Sequence, residues 1–395
     1  MNVEMDSIHE DIQTAFRFPV HFTVGVLDAR NSVLRDVVAA SADRSPAAAV
    51  FVIDRGLLPG HPGIVEAIER YCDTHRDVLT LATPPFLVPG GEAIKNDWHH
   101  VADIHRMIHR GGLCRHSYVV GVGGGAVLDV VGFAAATAHR GIRLIRIPTT
   151  VLSQDDSAVG VKNGINAYGK KNFLGTFAPP HAVINDSSFL PTLHDRDWRG
   201  GIAEAIKAAL IRDPDFFEFI ERNAAALKAR DLRVMEEVVR RSATLHLAHI
   251  AQGGDPFEQG SSRPLDYGHW AAHKLEALTE YRLRHGEAVG IGLALDTTYA
   301  HLTGALGERE WRRVIAVIQA VGLDIHTPEL DDHLDEPEHP RCVLSGLGEF
   351  REHLGGELTI LLLSGIGKSF DCHDIDTGVM IRSIEVLRRH GAGEY

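Results

Sequence analysis

Ser117-Tyr-Val-Val-Gly-Val-Gly-Gly-Gly-Ala-Val-Leu-Asp129 runs from an apolar stretch into three glycines and out into a helical pattern. A buried strand, a glycine turn and a helix in that order form the repeating unit of a parallel α/β domain. Glycines let the backbone approach a pyrophosphate closely, and a helix N-terminus adds amide donors and a favourable dipole. The segment is not GxGxxG, and a tight turn without any ligand explains it equally well taken singly.

The pattern continues on both sides. Ala48-Ala-Val-Phe-Val-Ile-Asp54 and Val78–Ala82 read as strands, with Ile64, Ala67, Ile68 and Tyr71 at helical spacing between them. Glu92 to His109 reads as one helix stopped by Gly111-Gly112, and Ala126–Ala138 as the helix after the glycines. Arg143–Ile147 is the next strand, halted by Pro148. From about Leu190 the texture changes to helices: Trp198–Ile211, Pro214–Ala226, Leu232–Ala251, Trp270–Thr279 and Ala288–Leu302, with few convincing strands among them. The expected architecture is therefore an α/β nucleotide-binding domain over residues 1–188 and a mostly α-helical domain over 189–395.

Bulk properties narrow the function. The 395 residues are 44% hydrophobic and 24% charged, as in a soluble globular protein. No apolar run is long enough to span a bilayer, and Met1–Arg17 does not resemble a signal peptide, so a cytoplasmic location is expected. A net charge of −13 argues against nucleic-acid binding but leaves room for a small anionic substrate. Cys72, Cys114, Cys342 and Cys372 are scattered, as reduced thiols would be.

Two patterns carry chemistry. His269 and His273 lie four apart on one helix face, His285 precedes another apolar helix, and Glu204 stands three residues before Lys207. Two imidazoles and a carboxylate suit a catalytic zinc site with an open position, although a His pair on an amphipathic helix is often merely structural. Pro148–Asn166, followed by Gly169-Lys-Lys-Asn-Phe-Leu-Gly175, gathers Lys, Asn and Gly between the domains, as an oxyanion site or a solvated connection would. Its apolar insertions Val159, Val161, Ile165, Phe173 and Leu174 favour an ordered loop.

Taken in order, Gly123-Gly-Gly…Asp129, Pro148-Thr-Thr, Lys162 with Gly169-Lys-Lys-Asn172, Ala203-Glu…Lys207, Gly268-His…His273 and His285-Gly-Glu-Ala-Val-Gly-Ile-Gly292 resemble the sugar phosphate cyclases, the 3-dehydroquinate synthase superfamily. The resemblance runs from about Asp54 to His285. It implies a dehydroquinate synthase-like fold, NAD and a divalent metal (Zn or Co) as cofactors, and a homodimer. Glu204, His269 and His285 would be metal ligands; Asp54, Glu92 and Lys95 would line the adenosine side of NAD. Gly123, Gly124, Gly125 and Asp129 would hold the pyrophosphate and ribose, near Thr149 and Thr150. Lys162, Asn172 and His273 would bind substrate phosphate, with Arg140 reaching in from a partner subunit. Asp156, Lys171 and Lys207 would surround the substrate hydroxyls and the nicotinamide, a region that Asp156, Lys162 and Lys171 share with the cofactor.

Departures from that family's pattern bear on substrate. A lysine usual in a segment like Lys-Ala-His-Ile-Val is replaced in Leu247-Ala-His-Ile-Ala251, and the usual Arg-Asn-Leu-Leu-Asn-Phe-Gly-His becomes Ser262-Arg-Pro-Leu-Asp-Tyr-Gly-His269. Asp266 in place of Asn should repel a carboxylate and suit a neutral hydroxyl-rich end. With Arg263, the retained His273 and Gly160-Val-Lys-Asn-Gly164, the chain looks most like cyclases of the 2-epi-valiolone synthase (EboD) type, acting on sedoheptulose 7-phosphate. The alternatives are 3-dehydroquinate synthase, with Arg263 pairing a substrate carboxylate, a metal-dependent polyol dehydrogenase, and an inactive cyclase fold serving as a partner protein.

Overall fold

The computed structural model describes residues 7–12, 14–41, 45–168, 170–253, 257, 264–353 and 356–392. Its first half comprises Val20–Thr23 (β1), Val33–Ser41 (α1), Ala47–Asp54 (β2), Ile64–Thr74 (α2), Leu79–Leu81 (β3), Phe86–Val88 (β4), Trp98–Arg110 (α3), Tyr118–Gly123 (β5), Gly125–Thr137 (α4), Arg143–Pro148 (β6), Lys162–Ala167 (β7), Lys170–Phe177 (β8) and Ala182–Asp186 (β9). Among the described residues, seven strands form one sheet in the order β1-β9-β6-β5-β2-β3, with β4 also on β2. Each of these pairings is parallel.

The strands are apolar on both faces because helices cover both. Phe51 and Ile53 point into a cluster with Leu34, Val38, Ile68 and Tyr71, while Val50 and Val52 point into one with Val101, Ile104, Val130 and Val131. Burying each such aliphatic side chain contributes roughly 1.5–3 kcal/mol. The strand order reverses between β2 and β5, and in open parallel sheets ligands bind outside the carboxyl ends of strands at such a point. The residues standing there are Asp54 and Gly123.

The second half comprises Asp195–Arg212 (α5), Pro214–Lys228 (α6), Leu232–Gln252 (α7), His269–Leu278 (α8), His285–Leu302 (α9), Glu308–Ala320 (α10), Ser345–His353 (α11), Ile360–Gly365 (β10), Lys368–Cys372 (β11) and Thr377–Gly391 (α12). Its core centres on α5 and α9, both almost wholly buried.

Three expectations need correction. The stretch Glu92–His109 is not one helix: a 3₁₀ turn at Glu92–Asn96 gives way to α3, because the Asp97 side chain accepts the His99 N–H and caps a new start. The polar segment is not a loop: β7 and β8 pair as an antiparallel hairpin. The helical half also carries an antiparallel β10–β11 ribbon.

Candidate active site

The glycine turn is shaped by its neighbours. A Cβ at Gly123 would stand 3.0 Å from both the Asp54 and Val127 Cβ atoms, and one at Gly125 only 2.5 Å from Ser157 Oγ. The Thr149 N–H donates to the Gly123 carbonyl at 3.1 Å, bringing Pro148-Thr-Thr over the turn. Thr149 Oγ1 and Ser157 Oγ are buried there without hydrogen-bond partners. Buried unpaired hydroxyls beside a helix N-terminus fit a phosphate-bearing cofactor that would satisfy them. Burial raises the Asp54 carboxyl above its usual range, opposed by the amides of Gly56 and Gly124.

The Glu204, His269 and His285 side chains converge. Nε2 of His269 lies 3.6 Å, and Nε2 of His285 3.4 Å, from Glu204 Oε1. One ligand atom from each residue falls within 4.8 Å of the others. Glu204 is 1% exposed; the Lys207 ammonium stands against Oε2, and Oε1 faces the two imidazoles. A buried carboxylate oxygen facing two imidazole nitrogens is a donor set that fits a divalent cation.

Both imidazoles turn Nε2 inward because an acceptor holds each Nδ1–H. His269 Nδ1–H donates to the Tyr267 carbonyl at 3.1 Å, and His285 Nδ1–H to Glu276 Oε2 at 3.1 Å. Burial and the Lys207 charge depress His269 to about 4, leaving it neutral and able to ligate. Burial lowers His285, but the Glu276 carboxylate outweighs it and raises the imidazole to about 9.

Close helix contacts place these ligands. Gly286, next to His285, touches the α5 backbone so tightly that a Cβ would lie 2.1 Å from the Gly200 carbonyl oxygen. Gly268 has φ +77 and would put a Cβ 2.8 Å from Leu293 N. Asp296 fixes the start of α8, accepting from Trp270 Nε1 at 2.8 Å and Gly268 N at 3.0 Å.

Around this centre stand the other expected residues. Asp156 Oδ1 is 4.0 Å from Lys207 Nζ, and Asp266 adds negative charge beside Lys207. Lys171 Nζ reaches Glu276 Oε1 at 2.8 Å, and the exposed His273 has its ring 5.8 Å from that of His285. Lys95 is 3% exposed; its ammonium bonds Asp129 Oδ2 at 2.7 Å and Asn172 Oδ1, with Glu92 3.7 Å away. Asn172 therefore sits with the residues expected near the cofactor as well as on the hairpin with Lys162 and Lys171. Thr150 bonds Ser153 at 2.8 Å beside Gly124. Arg140 is exposed just beyond the C-terminal end of the 13-residue α4, roughly 20 Å from the glycine turn at the other end of that helix. Arg263 lies outside the described residues.

Several residues escaped the sequence reading. His246 Nδ1 donates to Asp156 Oδ1 at 2.8 Å from ninety residues away. Arg146, fully buried on β6, donates to the carbonyls of Ala158, Gly160 and Lys162 and to Asn163 Oδ1, fixing the approach to Lys162. Burial lowers that guanidinium to about 10. Asp155 is 0% exposed with both carboxylate oxygens unpartnered. Glu276 carried a readable signal, being seven residues, two helical turns, beyond His269.

Comparison with known proteins decides the family. The model of the 3-dehydroquinate synthase N-terminal domain matches residues 85–200, and that of the 3-dehydroquinate synthase C-terminal domain matches residues 201–337. A 3-dehydroquinate synthase of Jannaschia sp. (strain CCS1) is 36% identical over 303 residues, 76% of this chain and 80% of that protein. The chain belongs to the 3-dehydroquinate synthase family. A 3-dehydroquinate synthase of Nitrosospira multiformis is likewise 36% identical, over 76% of this chain and 79% of that one.

Among solved structures of the family's fold, ValA, the 2-epi-5-epi-valiolone synthase of Streptomyces hygroscopicus subsp. jinggangensis 5008 with NAD⁺ and Zn²⁺ bound, superposes with a TM-score of 0.84 at 27% identity, covering 97% of this chain and 100% of that one. A 2-deoxy-scyllo-inosose synthase complexed with carbaglucose-6-phosphate, NAD⁺ and Co²⁺ shares the fold, with a TM-score of 0.74 at 22% identity over 94% of this chain and 96% of that one. The chain is thus an enzyme-family member with the expected α/β and α-helical halves. The names of its sequence relatives favour the 3-dehydroquinate synthase alternative over the sedoheptulose 7-phosphate reading. Among the described residues no helix is long and apolar enough to cross a membrane.

Proposed function

We propose that the chain is a phosphate-eliminating cyclase of a phosphorylated seven-carbon sugar, working with NAD and a divalent cation. The observation that carries this reading is the convergence of the buried Glu204 with His269 and His285, with Lys207 and Asp156 at its edge. A simple polyol dehydrogenase has no use for the additional cations Lys162 and Lys171, and an inactive fold has no physical need to keep three converging ligands.

When bound, NAD supplies a hydride acceptor and donor, and the cation (Zn or Co) supplies Lewis acidity at substrate oxygens. Glu204, His269 and His285 hold the cation. Gly123, Gly124, Gly125 and Asp129 would hold the pyrophosphate and neighbouring ribose at the α4 N-terminus, near Thr149 and Thr150, and Asp54, Glu92 and Lys95 would line the adenosine side. Asp156, Lys171 and Lys207 hydrogen-bond the substrate hydroxyls and keep the reacting carbon against the nicotinamide. Lys162, Asn172 and His273 bind the phosphate and stabilise the charge that grows on it as the C–O bond breaks. Arg140 completes the neighbouring site of a homodimer.

The substrate supported by the sequence relatives is that of 3-dehydroquinate synthase, a keto-acid phosphate. Two observations favour a second reading, sedoheptulose 7-phosphate with a 2-epi-valiolone type product. Asp266 lies beside Lys207, and Leu247 packs against the apolar cluster of Leu128, Ala158, Val159, Val183 and Ala243, so neither position offers a cation to a carboxylate. Incubating the protein with NAD⁺, Co²⁺ and each substrate in parallel, with product mass and released phosphate as readouts, decides between them. Turnover of neither would refute the proposal.

A further inference from the structure

Two overlapping sets of side chains could each hold a cation: Glu204, His269 and His285, and His273, Glu276 and His285. They share one imidazole, which cannot serve both through the same nitrogen. We propose that Glu276 is a positioning residue that commits His285 to the first set and, with Lys171, closes the second.

The geometry is specific. The Glu276 side chain is 4% exposed, and its Oε2 receives the His285 Nδ1–H at 3.1 Å. Because Nδ1 keeps its proton on Glu276, the nitrogen that gives up its proton to a cation is Nε2, the atom 3.4 Å from Glu204 Oε1. The carboxylate that orients a ligating imidazole also makes it a better donor. Glu276 itself is not available as a ligand, because Lys171 Nζ sits 2.8 Å from Oε1 and 3.1 Å from Oε2. An ammonium at that distance repels a second cation. Lys171 comes from β8 and Glu276 from α8, so the same contact ties the hairpin to the cation site. None of this follows from the ligand triad alone, which would be equally complete with an apolar residue at 276.

The proposal rests on reading Glu204, His269 and His285 as the cation site, and one experiment separates the two. Co²⁺ is titrated calorimetrically into the chelator-treated protein and its variants, each checked for folding by circular dichroism, and the visible absorption of bound Co²⁺ is recorded. The wild type should take one Co²⁺ per chain, His269→Ala should lose binding, and His273→Ala should keep it. Glu276→Gln should bind roughly 10–100-fold more weakly, as expected when an orienting carboxylate is removed. Lys171→Met, which removes the competing cation but leaves the carboxylate, should bind severalfold more tightly. Glu276→Gln binding as tightly as wild type, or His273→Ala losing Co²⁺, would overturn the role given to Glu276. His269→Ala binding normally, or no uptake by the folded wild type, would overturn the cation-site reading and this proposal with it.

Discussion

His246 and Asp156 form a hydrogen bond of 2.8 Å that joins α7 to the short segment following β6. Asp156 in turn lies 4.0 Å from Lys207, which leans on Glu204. Burial raises the Asp156 carboxyl, but Lys207 and His246 more than offset it and hold the group well below the usual carboxylate range. Asp156 is therefore a charged, aimed acceptor whose direction depends on a residue the sequence reading left out.

The first prediction follows from that bond. A hydrogen bond to a charged group contributes about 1.5–3 kcal/mol, so His246→Leu should lower kcat on the order of 10–100-fold with a smaller change in KM. His246→Asn, whose amide can occupy the Nδ1 position, should recover most of the loss. Steady-state kinetics on both variants check this; equal damage from Leu and Asn would mean that the ring acts by something other than this donor.

Asp155 predicts a pH dependence of stability. Burial raises its carboxyl well above 3.8, with Asp156 and Glu204 adding to the effect. The folded protein then holds a proton that the unfolded chain releases, so stability falls as pH rises above about 4 and the loss is complete once pH passes the folded value. Asp155→Leu, nearly isosteric, should be more stable than wild type at pH 8 by on the order of 1–3 kcal/mol and nearly equal to it at pH 4. Urea unfolding at several pH values measures the gap; a gap that does not widen with pH would contradict it.

Asp296 makes a third case. Both of its oxygens accept N–H donors, from Trp270 and Gly268, where α8 begins with His269. An amide at this position can accept only one, so Asp296→Asn leaves a buried donor facing another donor and should cost about 1–3 kcal/mol. The melting temperature should drop and Co²⁺ binding weaken together. Lost stability with unchanged Co²⁺ affinity would show that this turn does not set the position of His269.

Much of this was legible in the residues. The strand–glycine–helix unit at Ser117–Asp129, its repetition, and the helical periodicity after Leu190 gave both halves, because core-facing positions recur at the period of each element. Glu204, His269 and His285 were visible through local spacing and ordered motifs. The residues that orient them were harder. His246 meets Asp156, and Asp296 meets Gly268, only through tertiary packing across ninety and twenty-eight positions. The β7–β8 hairpin was hidden for another reason: β8 exposes most of its residues and β7 is rich in Asn and Gly, so neither shows the alternation of a half-buried strand. Asp97 broke an otherwise continuous helical pattern by a cap whose effect depends on its φ and ψ.

The central claim is that this chain eliminates phosphate in a cycle that returns its NAD unchanged. The most direct test supplies phosphorylated substrate and Co²⁺ in large excess over NAD⁺, following released inorganic phosphate and NADH absorbance together. The account predicts many phosphates released per NAD molecule, with no lasting rise in NADH, and the loss of both signals in His269→Ala. NADH accumulating in step with product, or an absence of phosphate release from either seven-carbon substrate, would contradict it.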